Sequence, residues 1–473
     1  MVEDFWERVT RYREMGLDPL KWVAGCAVKV DLTTIVYPAL RKLKPQLEGW
    51  GVTINPREDA DIFPRPTDGV HFERRVYDPK DPKVDPDDLS KLKPSRAISL
   101  VQVYQRNAES PESFAEVLRS VYRRIGESGV RFTVGKGHSI ITAYPDAEFT
   151  LFDFIPKDGV KGDGWALANN DTIQVIDPTD DPGSEAQAFV ALSNSLNDLI
   201  TLGADEKLAV YPVIDAPDDG LHSRILSHMK TFCSRYGLSL KEAEPVGSRK
   251  LLIGATVSGE ASHELPTFHK KLESGMEILV SRPFGDLAPI TAYLSCLADE
   301  DYAKGLSEFG LTLEEVEASK KELIETMKVP NLKIGQIIGR YCPDYGKPFS
   351  ASEHIADTID VSGPGIYVFK EVADNGAVEI MLDRIPLSYE QCARFVTRNY
   401  LMDNATAGTN GAIAIIASPE VTTDVKAALQ REGYNGEVIG RVIGRGTGKV
   451  SVGPEIENMI SSQNLLDEFT IRR

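Results

Sequence analysis

The chain has 473 residues, 42% apolar and 26% charged, with a formal net charge of −18. That length carries two or three domains and a large core. The acidity excludes a nucleic-acid binder working through a basic stripe, and no apolar run reaches the ~18 residues of a membrane span.

The first sixteen residues are charged and hold no signal-peptide apolar core, and residues 3–15 predict a helix. The five cysteines, Cys26, Cys233, Cys296, Cys342 and Cys392, form no C-x-x-C pair. That argues against a zinc site and a disulfide framework, and the expectation is a cytoplasmic protein with reduced thiols. Gly25-Cys26-Ala27-Val28-Lys29 places a lysine three residues after a cysteine. A nearby ammonium favours a reactive thiolate, while a lone cysteine in a strand is otherwise a small buried thiol.

Residues 55–95 are rich in Pro and Asp and predict irregular, exposed chain. A strand at 97–104 and a helix from Ser110 to Gly126 follow, so 61–135 reads as an insertion or small subdomain. From about 136 the pattern becomes regular, with strands expected at 147–155, 172–177, 207–214 and 250–257 and helices at 184–202 and 220–236. A second α/β block opens near 275 with Glu277–Gly285. It continues through a charged helical region (303–328) and an extended Gly365–Val372. It closes on a strand at 411–417, a helix at 423–433 and a strand at 437–444. Gly440–Gly453 is glycine-rich but no helix follows, so a hairpin is expected in place of a nucleotide loop.

The segment Ser184–Gly203 is the most strongly marked helix. Ser184 is a good N-cap, Gly203 suits a left-handed C-terminal residue, and Phe189, Leu192, Leu196, Leu199 and Ile200 recur at helical spacing. Asn194 and Asp198, four apart, share one face. Upstream, Thr172–Asp177 reads as a strand ending in carboxylates, with Asp180 and Asp181 after it. Such aspartates are either solvated turn residues or an acidic site against the helix. Gly162-Asp163-Gly164 is, on its own, an ordinary turn.

Four separated motifs, in one order, resemble those of selenophosphate synthetase, a member of the aminoimidazole ribonucleotide synthetase and thiamine-monophosphate kinase (PurM-like) superfamily. Gly25–Lys29 resembles that family's catalytic Cys and Lys segment. Asp163-Gly164-Trp165-Ala166-Leu167 is similar to its Asp-Asp-Ala-Ala-Val metal strand. Asn194–Asp198, running on to Gly203, is similar to its Asn-Ala-x-Ser-Asp helix, and Thr358–Gly365 resembles Thr-Asp-Val-Thr-Gly-x-Gly. Fainter echoes are Arg282-Pro283-Phe284-Gly285 and Asp403–Gly408. The chain departs from the pattern at Val246-Gly247-Ser248-Arg249, where the family has Gly-Gly-His-Ser, at Gly164, where it has a second Asp, and in the long segment between Lys29 and Asp163.

The resemblance implies a two-domain α/β (α+β) chain: an arm with the Cys/Lys motif (1–60), the insertion (61–135), an N-terminal half-barrel sheet binding ATP and metal (136–270), and a C-terminal α/β domain (271–473). It implies Asp163, Asp198 and Asp360 as Mg2+ ligands, Asp177 or Asp180 beside ATP, and Asn194 in support. It implies Cys26 and Lys29 as catalytic groups, ATP and a small chalcogen as partners, and a homodimer. The implied reaction joins ATP, selenide and water to give selenophosphate, AMP and phosphate. Another ATP-dependent kinase or synthetase of the superfamily, or a silent homologue, are the alternatives.

Overall fold

The computed structural model describes residues 164–242 and 251–473 nearly throughout (174 and 462 excepted), with 2–15, Leu17 and short pieces between 42 and 143. Cys26, Lys29, Asp163, the expected strands at 97–104 and 147–155, and Val246–Arg249 lie outside these residues.

The protein is a mixed α/β chain built on two seven-stranded sheets. The first takes its strands from the first half of the chain: β1 (Val52–Ile54), β2 (Phe132–Val134), β3 (Ile140–Ala143), β4 (Trp165–Ile173), β5 (Glu206–Asp215), β6 (Ser239–Leu240) and β7 (Leu252–Ala261), in the order β1-β2-β3-β4-β7-β5-β6. The second holds β8 (Glu277–Val280), β9 (Asp357–Val361), β10 (Val378–Leu382), β11 (Ala412–Ala417), β12 (Glu437–Arg445), β13 (Val450–Val452) and β14 (Thr470–Ile471), in the order β14-β13-β10-β12-β8-β11-β9.

Helix α1 (Val2–Glu14) opens the chain. The marked helix is α2 (Glu185–Thr201), with the Ser184 side chain capping Gln187 N, and Gly203 follows it at φ 79°. Helix α3 (Asp219–Tyr236) runs from an Asp218 cap to Gly237, left-handed at φ 67°. Both agree with the sequence expectation, because cap residues and apolar spacing act locally.

The second half adds α4 (Leu287–Ala298), α5 (Glu300–Gly305), α6 (Leu313–Met327), α7 (Leu332–Arg340), α8 (Val368–Gly376), α9 (Glu390–Arg398), α10 (Pro419–Arg431) and α11 (Gln463–Leu466). The charged region expected at 303–328 is thus broken: Gly310 turns at φ 70° and Thr312 with Glu315 forms a capping box that starts α6 afresh.

Helix α2 packs against β4 and β7 through Phe189, Leu192, Leu196, Leu199 and Ile200, all fully buried. The same cluster holds Ile413 and Ile415 of β11, Leu279 of β8 and Val425 and Leu429 of α10. One apolar core therefore runs from the first sheet into the second. Each such side chain contributes about 1.5–3 kcal/mol on burial.

Three further expected elements differ. The strand expected at 172–177 is shifted: β4 spans Trp165–Ile173 and pairs with β7 over nine residues. Residues 176 and 177 leave the sheet because the Gln187 side chain takes over their backbone groups, accepting from Ile176 N at 2.8 Å and donating to Asp177 O at 2.9 Å. The segment expected to be extended from Gly365 is helical, a 3-10 turn (Gly365–Tyr367) running into α8. Its buried Val368, Phe369, Val372 and Ala373 follow helical spacing, and Thr406 Oγ1 accepts from Ile366 N at 3.0 Å. The hairpin expected over Gly440–Gly453 does not form, since β10 lies between β12 and β13, antiparallel to the first and parallel to the second.

Candidate metal and phosphate site

The seam between β4 and α2 is polar where the rest of the interface is apolar. Alternation along β4 turns Asn169 and Asp171 to the helix. Helical spacing brings Asn194 and Asp198 to the strand. The four form two reciprocal amide–carboxylate pairs. Asn169 Nδ2 donates to Asp198 Oδ2 at 2.9 Å and to Ser195 O at 3.1 Å. Asn194 Nδ2 donates to Asp171 Oδ2 at 2.5 Å. Ser195 Oγ donates to Asp171 O at 3.0 Å, and Thr172 N to Asp171 Oδ1 at 2.7 Å. Asn169 is fully buried, and its Oδ1 has no hydrogen-bond partner. Asp171, Asn194 and Asp198 are partly exposed.

Sequence reasoning found Asn194 and Asp198 but missed Asn169 and Asp171, because it began the strand at Thr172. The available signal was alternation: Leu167, Asn169 and Asp171 share a face.

Asp360 lies on β9, paired with Ile413 of β11. Its strand reaches α2 directly, with Thr358 Oγ1 donating to Thr201 O at 2.5 Å. Asp198 and Asp360 thus sit on elements that touch at the junction of the two sheets. Among the described residues no three His, Cys, Asp or Glu side chains gather as a ready metal cage.

Asp177 is buried and already engaged. Lys320 Nζ of α6 lies 2.6 Å from its Oδ2 and donates to Thr179 Oγ1 at 2.8 Å. Thr179 N and Oγ1 donate to Asp177 Oδ1 at 2.8 and 2.6 Å. The Lys320 ammonium also sits 4.8 Å from the centre of the Tyr293 ring. Lys320 carried no sequence signal, being one lysine among many in a charged helix. Asp180 is partly exposed, with Oδ1 accepting from Asp181 N at 2.8 Å.

Helix α1 docks on this same loop. Arg8 donates to Thr179 O, Arg11 lies 3.1 Å from Asp181, and Tyr12 Oη donates to Asp180 O at 3.0 Å. Burial, then the charges of Asp177, Asp180 and Asp181, hold the Tyr12 phenol well above its ordinary pKa. Phe5 and Val9 pack on Leu294 of α4.

The segments 282–285, 358–365 and 403–408, far apart in sequence, meet. Arg282 forks onto Asp286 at 2.8 and 2.5 Å, and Asp286 Oδ2 accepts from Asn410 N at 2.9 Å. Asn404 Nδ2 donates to Pro364 O at 2.9 Å, and Gly408 N to Gly363 O at 3.3 Å. Gly365, at φ 58°, lies so close to Thr406 that a Cβ would stand 2.3 Å from its carbonyl oxygen. The amides of Asn197, Asn331 and Asn410 meet beside this junction, those of Asn197 and Asn410 2.7 Å apart.

The donors at the β4–α2 seam and on β9 are carboxylate and amide oxygens, the set a hard cation such as Mg2+ takes. The orphaned Asn169 oxygen fits such an ion as well. The four described cysteines are all buried, and burial raises Cys233 and Cys392 to about 12 and Cys296 to about 11.

No protein-family model and no curated protein matches the chain. Solved structures do. Thiamine monophosphate kinase from Aquifex aeolicus shares 18% identity over 61% of this chain and 88% of its own, with a TM-score of 0.42. Thiamine-monophosphate kinase from Stenotrophomonas maltophilia shares 16% over 62% and 90%, with a TM-score of 0.42. Hydrogenase maturation protein HypE, in complex with ATP, shares 17% over 62% and 82%, with a TM-score of 0.41. These likenesses are low in identity and in score. Among the described residues, no helix is long and apolar enough to cross a membrane.

Proposed function

We propose that the protein is a magnesium-dependent, ATP-using phosphotransferase of the selenophosphate synthetase-like type within the PurM-like superfamily. The observation that carries the reading is the pairing of Asn169 with Asp198 and of Asp171 with Asn194, which sets oxygen donors at the junction with the strand of Asp360. Mg2+ would be held by Asp163, Asp198 and Asp360, with Asn194 fixing the seam. When bound, it neutralises phosphate charge, the main requirement of phosphoryl transfer besides positioning.

The chain's own residues supply the rest. Of the two aspartates beside the nucleotide, Asp180 is the better placed, since the Asp177 carboxylate is taken up by Lys320 and Thr179. Lys29 brings a cation to the phosphates, and Cys26 holds or delivers the chalcogen. ATP, selenide and water give selenophosphate, AMP and phosphate. Helix α1 is fixed on the 177–181 loop through Arg8, Arg11 and Tyr12.

A homodimer belongs to the same reading. Strand β6 pairs with β5 only at Ala209 and Val210, and a cavity of about 520 Å3 lined by Lys207, Tyr211, Lys241 and Ser258 runs along that edge. Proteins rarely leave such an edge uncovered. Sedimentation equilibrium should return twice the chain mass at micromolar concentration.

The deciding experiment is product analysis by phosphorus NMR with ATP and Mg2+, with selenide and with sulfide, on wild type, Asp198→Asn and Asp360→Asn. Wild type should form selenophosphate and AMP, and each variant should keep its fold and lose turnover. Wild-type rates in Asp198→Asn would falsify the site as drawn.

A further inference from the structure

We propose that the cavity along β5 binds a short peptide with both termini free, about three or four residues long, laid beside Glu206–Leu208 as an added strand. Its ammonium meets Asp205 and its carboxylate meets Lys241. The inference goes beyond the phosphotransferase reading and does not rest on it.

The place is made by where β6 begins. Its register with β5 starts at Ala209 with Ser239 and ends at Val210 with Leu240. Because the two strands are parallel, the chain before Ser239 would have to run beside Leu208, Lys207 and Glu206 to complete that edge. It does not, since Tyr236 still belongs to α3, Gly237 turns at φ 67°, and Leu238 N is held by Cys233 O at 2.9 Å. Among the described residues no strand lies on that side of Glu206–Leu208. The gap is the cavity of about 520 Å3, lined by Gly237 and Leu238, by Lys207 and Leu208, and by Leu332 and Gln336 of α7. Small-ligand sites run from about 300 to 1,000 Å3. An extended peptide on an open sheet edge gains main-chain hydrogen bonds from the strand beside it. It takes the Glu206–Leu208 end of the edge and leaves the rest to a second copy.

Charge selects the occupant. Asp205 and Lys241 both line the cavity, and both are exposed. No ion pair of the described residues takes up either one. Lys241 N bonds Val210 O at 2.8 Å. Lys241 therefore stands five positions along β5 from Asp205, ~16 Å at about 3.3 Å per residue and less across the bulge. That span suits about three or four extended residues with a side chain reaching in from each end. Lys207, the cation between them, is already engaged. The bulge between Glu206 and Ala209 sets it at φ 50°, and its Nζ lies 2.8 Å from the buried Glu260 carboxylate. One carboxylate at one end and one ammonium at the other match a zwitterion, whereas a simple anion or cation would meet a like charge.

Between the two ends, Ser258 of β7 pairs across from Ala209 and lines the cavity. It is fully buried, and its Oγ has no hydrogen-bond partner. An unmet buried hydroxyl is costly, and a peptide N–H or C=O beside it removes that cost.

The test is calorimetric titration of the full chain with the peptide Ala-Val-Ala-Val in three forms: both termini free, N-acetylated, and C-amidated. The free form should bind about tenfold more tightly than either blocked form, since each block removes one charge-assisted contact. Asp205→Asn should weaken the free peptide by about that factor and leave the acetylated one unchanged, and Lys241→Met should leave the amidated one unchanged. Ser258→Ala should weaken all three forms about threefold. Thermal melts check that each variant keeps the fold. Equal affinity for the three forms, or no uptake of any of them by wild type at millimolar concentration, would overturn the inference. Sedimentation equilibrium runs alongside. A dimer lost in Asp205→Asn and Lys241→Met, with no peptide uptake by wild type, would give the whole edge to a second copy and overturn the inference too. ATP turnover enters none of these readouts, so each outcome leaves the phosphotransferase reading where it stands.

Discussion

Lys320 on α6 and Asp177 beyond β4, 143 residues apart, form a buried ion pair 2.6 Å long. The pair ties the acidic loop before α2 to the helical layer of the second half. Thr179 completes it by bonding both the ammonium and the carboxylate. Removing one partner leaves a buried charge, which costs about 3–5 kcal/mol. Lys320→Met should therefore unfold in urea well before wild type. The double variant Lys320→Met/Asp177→Asn should recover much of the loss, because no charge is then stranded. A double variant no more stable than Lys320→Met would show that the pair is not the cause.

Gly365 is where the 358–365 segment passes under the 403–408 segment. Its φ of 58° suits glycine, and an added Cβ would meet the Thr406 carbonyl. Gly365→Ala should cost about 1–3 kcal/mol from backbone strain, with the clash in addition. Chemical denaturation would measure the loss. Because Ile366 N bonds Thr406 Oγ1, hydrogen exchange at the start of α8 should also speed up.

If Cys26 is the reactive thiol proposed above, labelling should separate it from the other four cysteines. Burial raises the Cys233, Cys296 and Cys392 thiols far above neutral pH, and Cys342 is buried too. All four should react slowly with iodoacetamide at pH 7.5 in the folded protein. One fast-labelling site is expected, and it should vanish in Cys26→Ser. The same variant should bind ATP by calorimetry but form no selenophosphate. Fast labelling of a buried cysteine, or normal product from Cys26→Ser, would remove Cys26 from the mechanism.

The docking of α1 should weaken in alkali. The folded-state pKa of the Tyr12 phenol lies above its unfolded value of about 10, so the folded chain holds that proton more tightly. Its contribution is complete below pH ~10 and is lost as pH rises through the raised value. Tyr12→Phe should lose about 1 kcal/mol at pH 8 with the bond to Asp180 O, and should then fall less steeply than wild type above pH 10. Parallel denaturation curves at pH 8 and 10.5 make the comparison, and equal slopes would count against it.

By itself the sequence determined what local physics controls. Ser184 and Gly203 bounded α2, the helix expected at 220–236 is α3, and the strand–helix–strand ending from Gly411 stood where the apolar runs put it. The shared face of Asn194 and Asp198 also followed from helical spacing alone. Tertiary structure decided the rest. Asn169 and Asp171 became part of the candidate site only because β4 stops at Ile173, and it stops there because Gln187, in the following helix, takes the backbone groups of 176 and 177. Val368–Val372 reads as strand by β-branched content, yet Gly365 and Thr406 start a helix there. Strand β10 entered between β12 and β13 because pairing partners far along the chain outbid a nearby turn. Lys320 is the limiting case: nothing around it in sequence distinguishes it, and only the fold brings it to Asp177. Caps and periodicity act over a few residues and are written in the chain, whereas an ion pair or a ladder spanning a hundred residues exists only once the core has closed.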